Sequence, residues 1–125
     1  MAQRIAIEIN GKILKGELND SAAGKKIAQA LPLSISLSRW GDEYYGDSRV
    51  SIAEDPTARE LMEVGEIAYW PPGRAICIFF GPTPASTDAR PRAASNVLPI
   101  GKIASGIDAL ASLGPRIKAS IRSEE

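Results

Sequence analysis

The sequence contains no histidine. With it go the commonest general base, the Ser-His and Cys-His nucleophile arrangements, and most zinc chemistry. A single cysteine, Cys77, excludes an internal disulfide and any Cys-x-x-Cys metal or redox motif. It stands in an apolar run, where cysteine ordinarily behaves as a small buried hydrophobe, and no base beside it marks a reactive thiol. No apolar stretch approaches the roughly 20 residues of a membrane helix, and the first ten residues lack the apolar core of a signal peptide. Net charge is missing too. Fifteen basic residues cancel 15 acidic ones, which leaves no footprint for nucleic acid or an anionic membrane. These absences predict a cytoplasmic protein with no metal and no cofactor, and with neither nucleic acid nor membrane as a partner.

The charge balance is uneven along the chain. Eight acidic residues between Asp42 and Glu66 stand against Arg49 and Arg59, and four basic residues between Arg74 and Lys102 stand against Asp88 alone. That pattern suits a ligand-steering dipole or, on the plainer reading, a solvated mixed face. A length of 125 residues fits one domain, 1–125, large enough to bury a core.

What is present centres on residues 65–84, GEIAYWPPGRAICIFFGPTP. Two apolar runs, 66–70 and 74–80, flank a Pro71-Pro72-Gly73 turn, and both read as strands because they are short, β-branched and aromatic. The stretch 75–80 is apolar without alternation, which predicts a strand covered on both faces. Of the two Trp, three Tyr and two Phe in the chain, Tyr69, Trp70, Phe79 and Phe80 lie here.

Before it, residues 4–9 and 12–18 read as strands joined at Asn10-Gly11, a hairpin signal because both residues tolerate positive φ. Asp20 or Ser21 caps a helix to about Ala30, with Ala23, Ile27, Ala30 and Leu31 as its apolar stripe, and Pro32 ends it. Residues 33–40 alternate with Leu33, Ile35 and Leu37 on one side. Arg39 falls on that same side, which demands a bulge or a pocket mouth. Residues 41–47 read as a loop or strand end, 50–53 as a short strand, and Asp55-Pro56 as the start of a helix to about Glu63. After the central hairpin, 82–96 is a Pro- and Arg-containing connection, either a functional lid or a disordered loop. Then come a strand over 97–105 broken near Pro99 and Gly101, a short helix over 107–113, and a strand over 116–122 able to pair with the first. About seven or eight strands and two or three short helices imply a mainly β, closed or nearly closed antiparallel barrel with plugged ends.

The motifs also carry a resemblance. Ile100-Gly101-Lys102-Ile103 followed by Gly106-Ile107-Asp108 is similar to a late strand and helix of cyclophilins. More closely, Trp40-Gly41-Asp42-Glu43-Tyr44-Tyr45 and the run Tyr69 through Pro84 resemble a small prokaryotic cyclophilin-like family of unassigned function. Its marks are W-G-[DE]-E-x-Y and YWPPG-x-A-x-x-x-FFG-x-TP. The resemblance implies a closed eight-stranded antiparallel cyclophilin-like barrel and brings no settled activity. In cyclophilins an arginine after Phe-His donates to the proline nitrogen, which weakens the amide double-bond character that opposes rotation. By strand order Arg39 falls there, after Leu37-Ser38, and is the catalytic candidate. The cyclophilin Gln-Phe-Phe is replaced by Ala75-Ile76-Cys77.

Three functions follow. The preferred one is a binding module in which Trp40, Glu43, Tyr45, Tyr69, Cys77 and Phe79 line a groove for a peptide or small-molecule ligand. The second is a peptidyl-prolyl isomerase using Arg39. The third is a homo-oligomer subunit that buries exposed aromatics against a neighbour. The plain alternatives are core packing for the aromatics and an ion pair with Asp42 or Glu43 for Arg39.

Overall fold

Turn chemistry sets the first hairpin. The computed structural model describes residues 2–124, and in it Asn10 and Gly11 take φ of 52° and 79°, folding β1 (Gln3–Ile9) back on β2 (Lys12–Leu18). Helix α1 (Ala22–Ala30) is capped by Ser21, whose hydroxyl accepts from the Gly24 amide at 3.0 Å, and it buries Ala23, Gly24 and Ile27. Six further barrel strands follow: β3 (Leu33–Arg39), β4 (Glu43–Asp47), β6 (Glu66–Trp70), β7 (Ala75–Phe79), β8 (Arg92–Ser105) and β9 (Arg116–Ser123), with the three-residue β5 (Arg59–Leu61) between β4 and β6. Short 3₁₀ segments occupy Pro71–Gly73 and Ile107–Ser112.

Every strand pair is antiparallel. In space the order is β2-β1-β9-β3-β4-β7-β6-β8, and β8 pairs again with β2, so eight strands close into a barrel. The expected closed eight-stranded barrel is thus present, and its last strand does pair with its first, Ile7 opposite Ile121. Helix α1 joins β2 to the start of β3, and the 3₁₀ segment Ile107–Ser112 enters β9 opposite the end of β3. The two therefore plug opposite ends, each delivering a fully buried residue, Ile27 and Leu110, to one shared core.

A second, smaller core lies outside the barrel. Along β7, Ile76 and Ile78 face the interior, while Ala75, Cys77 and Phe79 face outward and are equally buried. Their cover comes from Met62, next to β5, and from Ala93 and Val97 in the first half of β8, which extends past the barrel and pairs with β5. This is the two-sided burial that the unalternating apolar run predicts. The acidic and basic segments meet as ion pairs: Arg74 with Asp47 at 2.7 Å, and Arg92 with Glu60 at 3.5 Å.

Several local expectations give way to tertiary structure. Residues 50–53 form no strand; their backbone is tied instead to the Tyr69 hydroxyl, which donates to the Val50 carbonyl at 2.5 Å and accepts from the Ile52 amide at 3.1 Å. No helix follows Asp55-Pro56. The Asp55 carboxylate accepts from the Thr57 amide at 2.8 Å, one turn forms, and residues 59–61 then pair with β8. Residues 43–47 are a full strand, so only Gly41 and Asp42 turn. The connection expected over 82–96 is shorter, because β8 begins at Arg92, and residues 80–91 are pinned by Thr83 Oγ1 donating to the Arg92 carbonyl and Ser86 Oγ to the Arg90 carbonyl. Proline is tolerated inside β8 at a bulge: Ile67 lies opposite Gly101 and Ala68 opposite Pro99. No helix among the described residues is long and apolar enough to cross a membrane.

The β2–β8 seam leaves no room for side chains. A Cβ on Gly101 would lie 2.1 Å from the Glu17 carbonyl oxygen, and one on Gly16 would lie 2.5 Å from that of Lys102. Gly101→Ala is expected to lower stability to urea by about 3 kcal/mol. Gly114→Ala, where nothing lies within 4 Å, is expected to change it by less than about 0.5 kcal/mol.

Candidate functional site

The outward faces of four adjacent strands form a concavity of about 270 Å³ on the flank of the barrel. Alternation decides which side chains reach it. On β4, Tyr44 points into the core, so Glu43 and Tyr45 point out. Directly across, β7 brings Cys77 opposite Tyr45 and Phe79 opposite Glu43. Strand β6 supplies Trp70, and the overshooting half of β8 supplies Ala93, Ala94 and Val97; Trp40 closes the end beside the turn. The Trp70 indole is fixed by donating to Ser95 Oγ at 2.7 Å and by Gly73, where a Cβ would stand 2.9 Å from the ring.

Among the described residues Glu43 is the only charged one in this lining, and it is 5% exposed. Its Oε1 atom has no hydrogen-bond partner among the described residues. Burial against apolar neighbours pushes its carboxyl up from 4.5 to about 7, opposed only by a hydrogen bond from the Cys77 thiol. That thiol has one proton and two acceptors in reach, the Glu43 carboxylate and the Ala75 carbonyl at 4.0 Å; the charged acceptor is the stronger. Cys77 is itself pushed well above the usual thiol range, first by burial and then by the carboxylate. A protonated, enclosed thiol is a poor nucleophile.

Arg39 lies elsewhere. Its Nε donates to the Gly41 carbonyl at 2.8 Å, Nη1 to those of Ala111 and Leu113 at 3.1 and 3.0 Å, and Nη2 to Asp42 Oδ1 at 2.9 Å. The guanidinium also stacks 5.0 Å over the Phe80 ring. It stitches the Gly41-Asp42 turn to the end of the 3₁₀ plug.

Of the residues expected at a groove, then, the structure brings Trp40, Glu43, Tyr45 and Cys77 together. It leaves out Arg39, Tyr69 and Phe79. Tyr69 faces the barrel interior, and Phe79 is wholly enclosed in the outer core beneath the concavity. Sequence reading missed Trp70, Ala93, Ala94 and Val97. The available signal for Trp70 was parity: residues adjacent on a strand face opposite ways, so a Tyr69 turned into the core puts Trp70 on the outer face. Nothing local marks the alanines. Among the described residues there is no cluster of His, Cys, Asp or Glu able to hold a metal.

Comparison with known proteins agrees with this architecture. A family model described as cyclophilin-like matches residues 3–122. The solution structure of a hypothetical protein from Archaeoglobus fulgidus is similar at 32% identity and a TM-score of 0.82, over 98% of this chain and 95% of that one. No curated protein matches the chain.

Two outcomes are expected. Because the Glu43 carboxyl holds its proton more tightly folded than unfolded, its contribution to stability is fully present below about pH 4.5, falls as pH rises towards 7, and levels off above. The full loss is on the order of 3 kcal/mol, and Glu43→Gln removes it, so the variant overtakes wild type in urea unfolding at about pH 8. Asp47, Asp55 and Asp88 are shifted downward and titrate below that window. Arg39→Ala is expected to cost about 2 kcal/mol through the carbonyls it abandons, read by the same unfolding curves.

Proposed function

We propose that this chain, which belongs to the cyclophilin-like family, binds a small ligand or the tip of a peptide in the concavity on the barrel flank, without catalysing proline isomerisation. The observation that carries this reading is the buried carboxyl of Glu43, one oxygen unpaired, among aromatic and apolar walls. Leaving a buried polar atom without a partner costs about 1–3 kcal/mol, and a ligand donor at Oε1 removes that cost. Apolar walls with a few placed polar groups are the usual makeup of a small-molecule site. A volume of about 270 Å³ is at the small end for such sites, which favours a compact group over an extended peptide.

The isomerase alternative asks Arg39 to donate to a substrate, but its guanidinium is committed to four protein acceptors away from the concavity. The oligomer alternative asks for a contiguous apolar face. Among the described residues the exposed large hydrophobics are Ile13 on β2, Tyr45 on β4 and Val64 in the turn before β6, so no two share an element.

A fragment titration followed by amide and indole NMR shifts tests the proposal. Hits are expected to move Trp40, Tyr45, Ala93, Ala94 and the Trp70 indole, and Ala94→Phe, which fills the concavity from an exposed position, is expected to abolish them. A proline-isomer assay on a short peptide is expected to show the uncatalysed rate. Shifts confined to other surfaces would refute the site. Acceleration lost in Arg39→Ala would restore the isomerase.

A further inference from the structure

Resting on that reading of the concavity, we infer that its ligand is an organic ammonium ion: a protonated amine on a short hydrocarbon stem, with an N–H donated to Glu43 Oε1 and its charge held among Trp40, Tyr45 and Trp70.

Three arginines flank the lining segments in sequence, and each is engaged elsewhere: Arg39 with Asp42, Arg74 with Asp47 and Arg92 with Glu60. Asp42, Asp47 and Glu60 are thereby matched; among the described residues Glu43 is in no ion pair, although it is the most buried carboxylate. A buried carboxylate broken from any counter-charge is strongly unfavourable, and a cation with good hydrogen-bond geometry reverses that. An anionic ligand would meet the same negative carboxylate with no positive group in the lining. A purely apolar ligand would bury Oε1 further without satisfying it. A neutral alcohol or amide satisfies it with one ordinary hydrogen bond. An ammonium supplies a charge-assisted bond, roughly twice as strong, and is attracted by the surrounding aromatic rings as well.

The hydrogen-bonding need sharpens the class. Oε1 wants a donor, so a quaternary ammonium would leave it unpaired, whereas a primary or secondary amine would not. Ala93, Ala94 and Val97 form an apolar wall suited to a stem of a few carbons.

Binding must then depend on pH. The other titratable groups in the lining are the Cys77 thiol on β7 and the Tyr45 phenol on β4; β6 and β8 contribute only Trp70, Ala93, Ala94 and Val97. The thiol is held protonated, so the carboxyl is the group that changes state near neutrality.

The test compares n-butylammonium chloride with its neutral counterpart n-butanol, by NMR titration of the full chain at about pH 8 and about pH 6, with sodium chloride as a control. Butylammonium is expected to shift the concavity signals at least tenfold more tightly than butanol. It should weaken roughly tenfold at the lower pH, where Glu43 must first lose its proton. Glu43→Gln, expected to fold at least as well as wild type, should bind both probes alike. Equal binding of the two probes by wild type, or tighter binding at the lower pH, would overturn the ammonium assignment and leave the concavity as a site for neutral ligands. So would silence from butylammonium while other fragments bind there. If no fragment moves these signals, the underlying site reading itself fails.

Discussion

The pairing of β8 with β2 is the interaction on which the rest of the structure depends. Without it the eight strands would be an open sheet with two exposed edges, each an invitation to aggregate. The seam is made by backbone alone: Gly16 and Gly101 bring the two chains closer than any Cβ would permit. Closure in turn encloses the large interior side chains, and it forces the buried phenols of Tyr44 and Tyr69 to find partners in the Gly114 and Val50 carbonyls. Loops that would otherwise be free are thereby tied to the core.

The same strand builds the proposed site. Fourteen residues are more than the barrel needs, and the surplus at the start of β8 runs on across the outside with β5. Without this overshoot β7 would expose Ala75, Cys77 and Phe79 to water, and Glu43 would be an ordinary surface carboxylate. With it, the outer faces of β4, β6 and β7 become the floor of a concavity, and a carboxyl is left half-satisfied in an apolar setting. The outer core and the proposed site both depend on that one extension.

Features governed by neighbours in sequence were legible before the fold was known. Asn10-Gly11 specifies its turn through two positive φ values, and the bounds of β6 follow from Gly65 and Pro71. The barrel itself followed from the number of short alternating segments together with the family motifs. What sequence did not reveal was decided at a distance. Asp55-Pro56 is a sound helix start, but pairing of residues 59–61 with β8 outweighs a local capping preference. Arg92 through Asn96 carry weak strand propensity and read as loop until β5 lies beside them. Four candidate site residues were recognisable because Trp40, Glu43 and Tyr45 share one motif and Cys77 falls in the run that replaces the cyclophilin Gln-Phe-Phe. Tyr69 reads as a groove residue in place of Trp70 because nothing local says which face of β6 turns inward.

The parity of β4 has a further consequence, for the folding of the chain rather than its chemistry. Slipping this strand by one position against β7 would turn Tyr44 out to water and drive Glu43 and Asp47 into the sealed interior. Two acidic groups in that oily space would be prohibitive. The outward carboxyl of Glu43 therefore guards against misalignment, making the wrong assembly costlier than the right one.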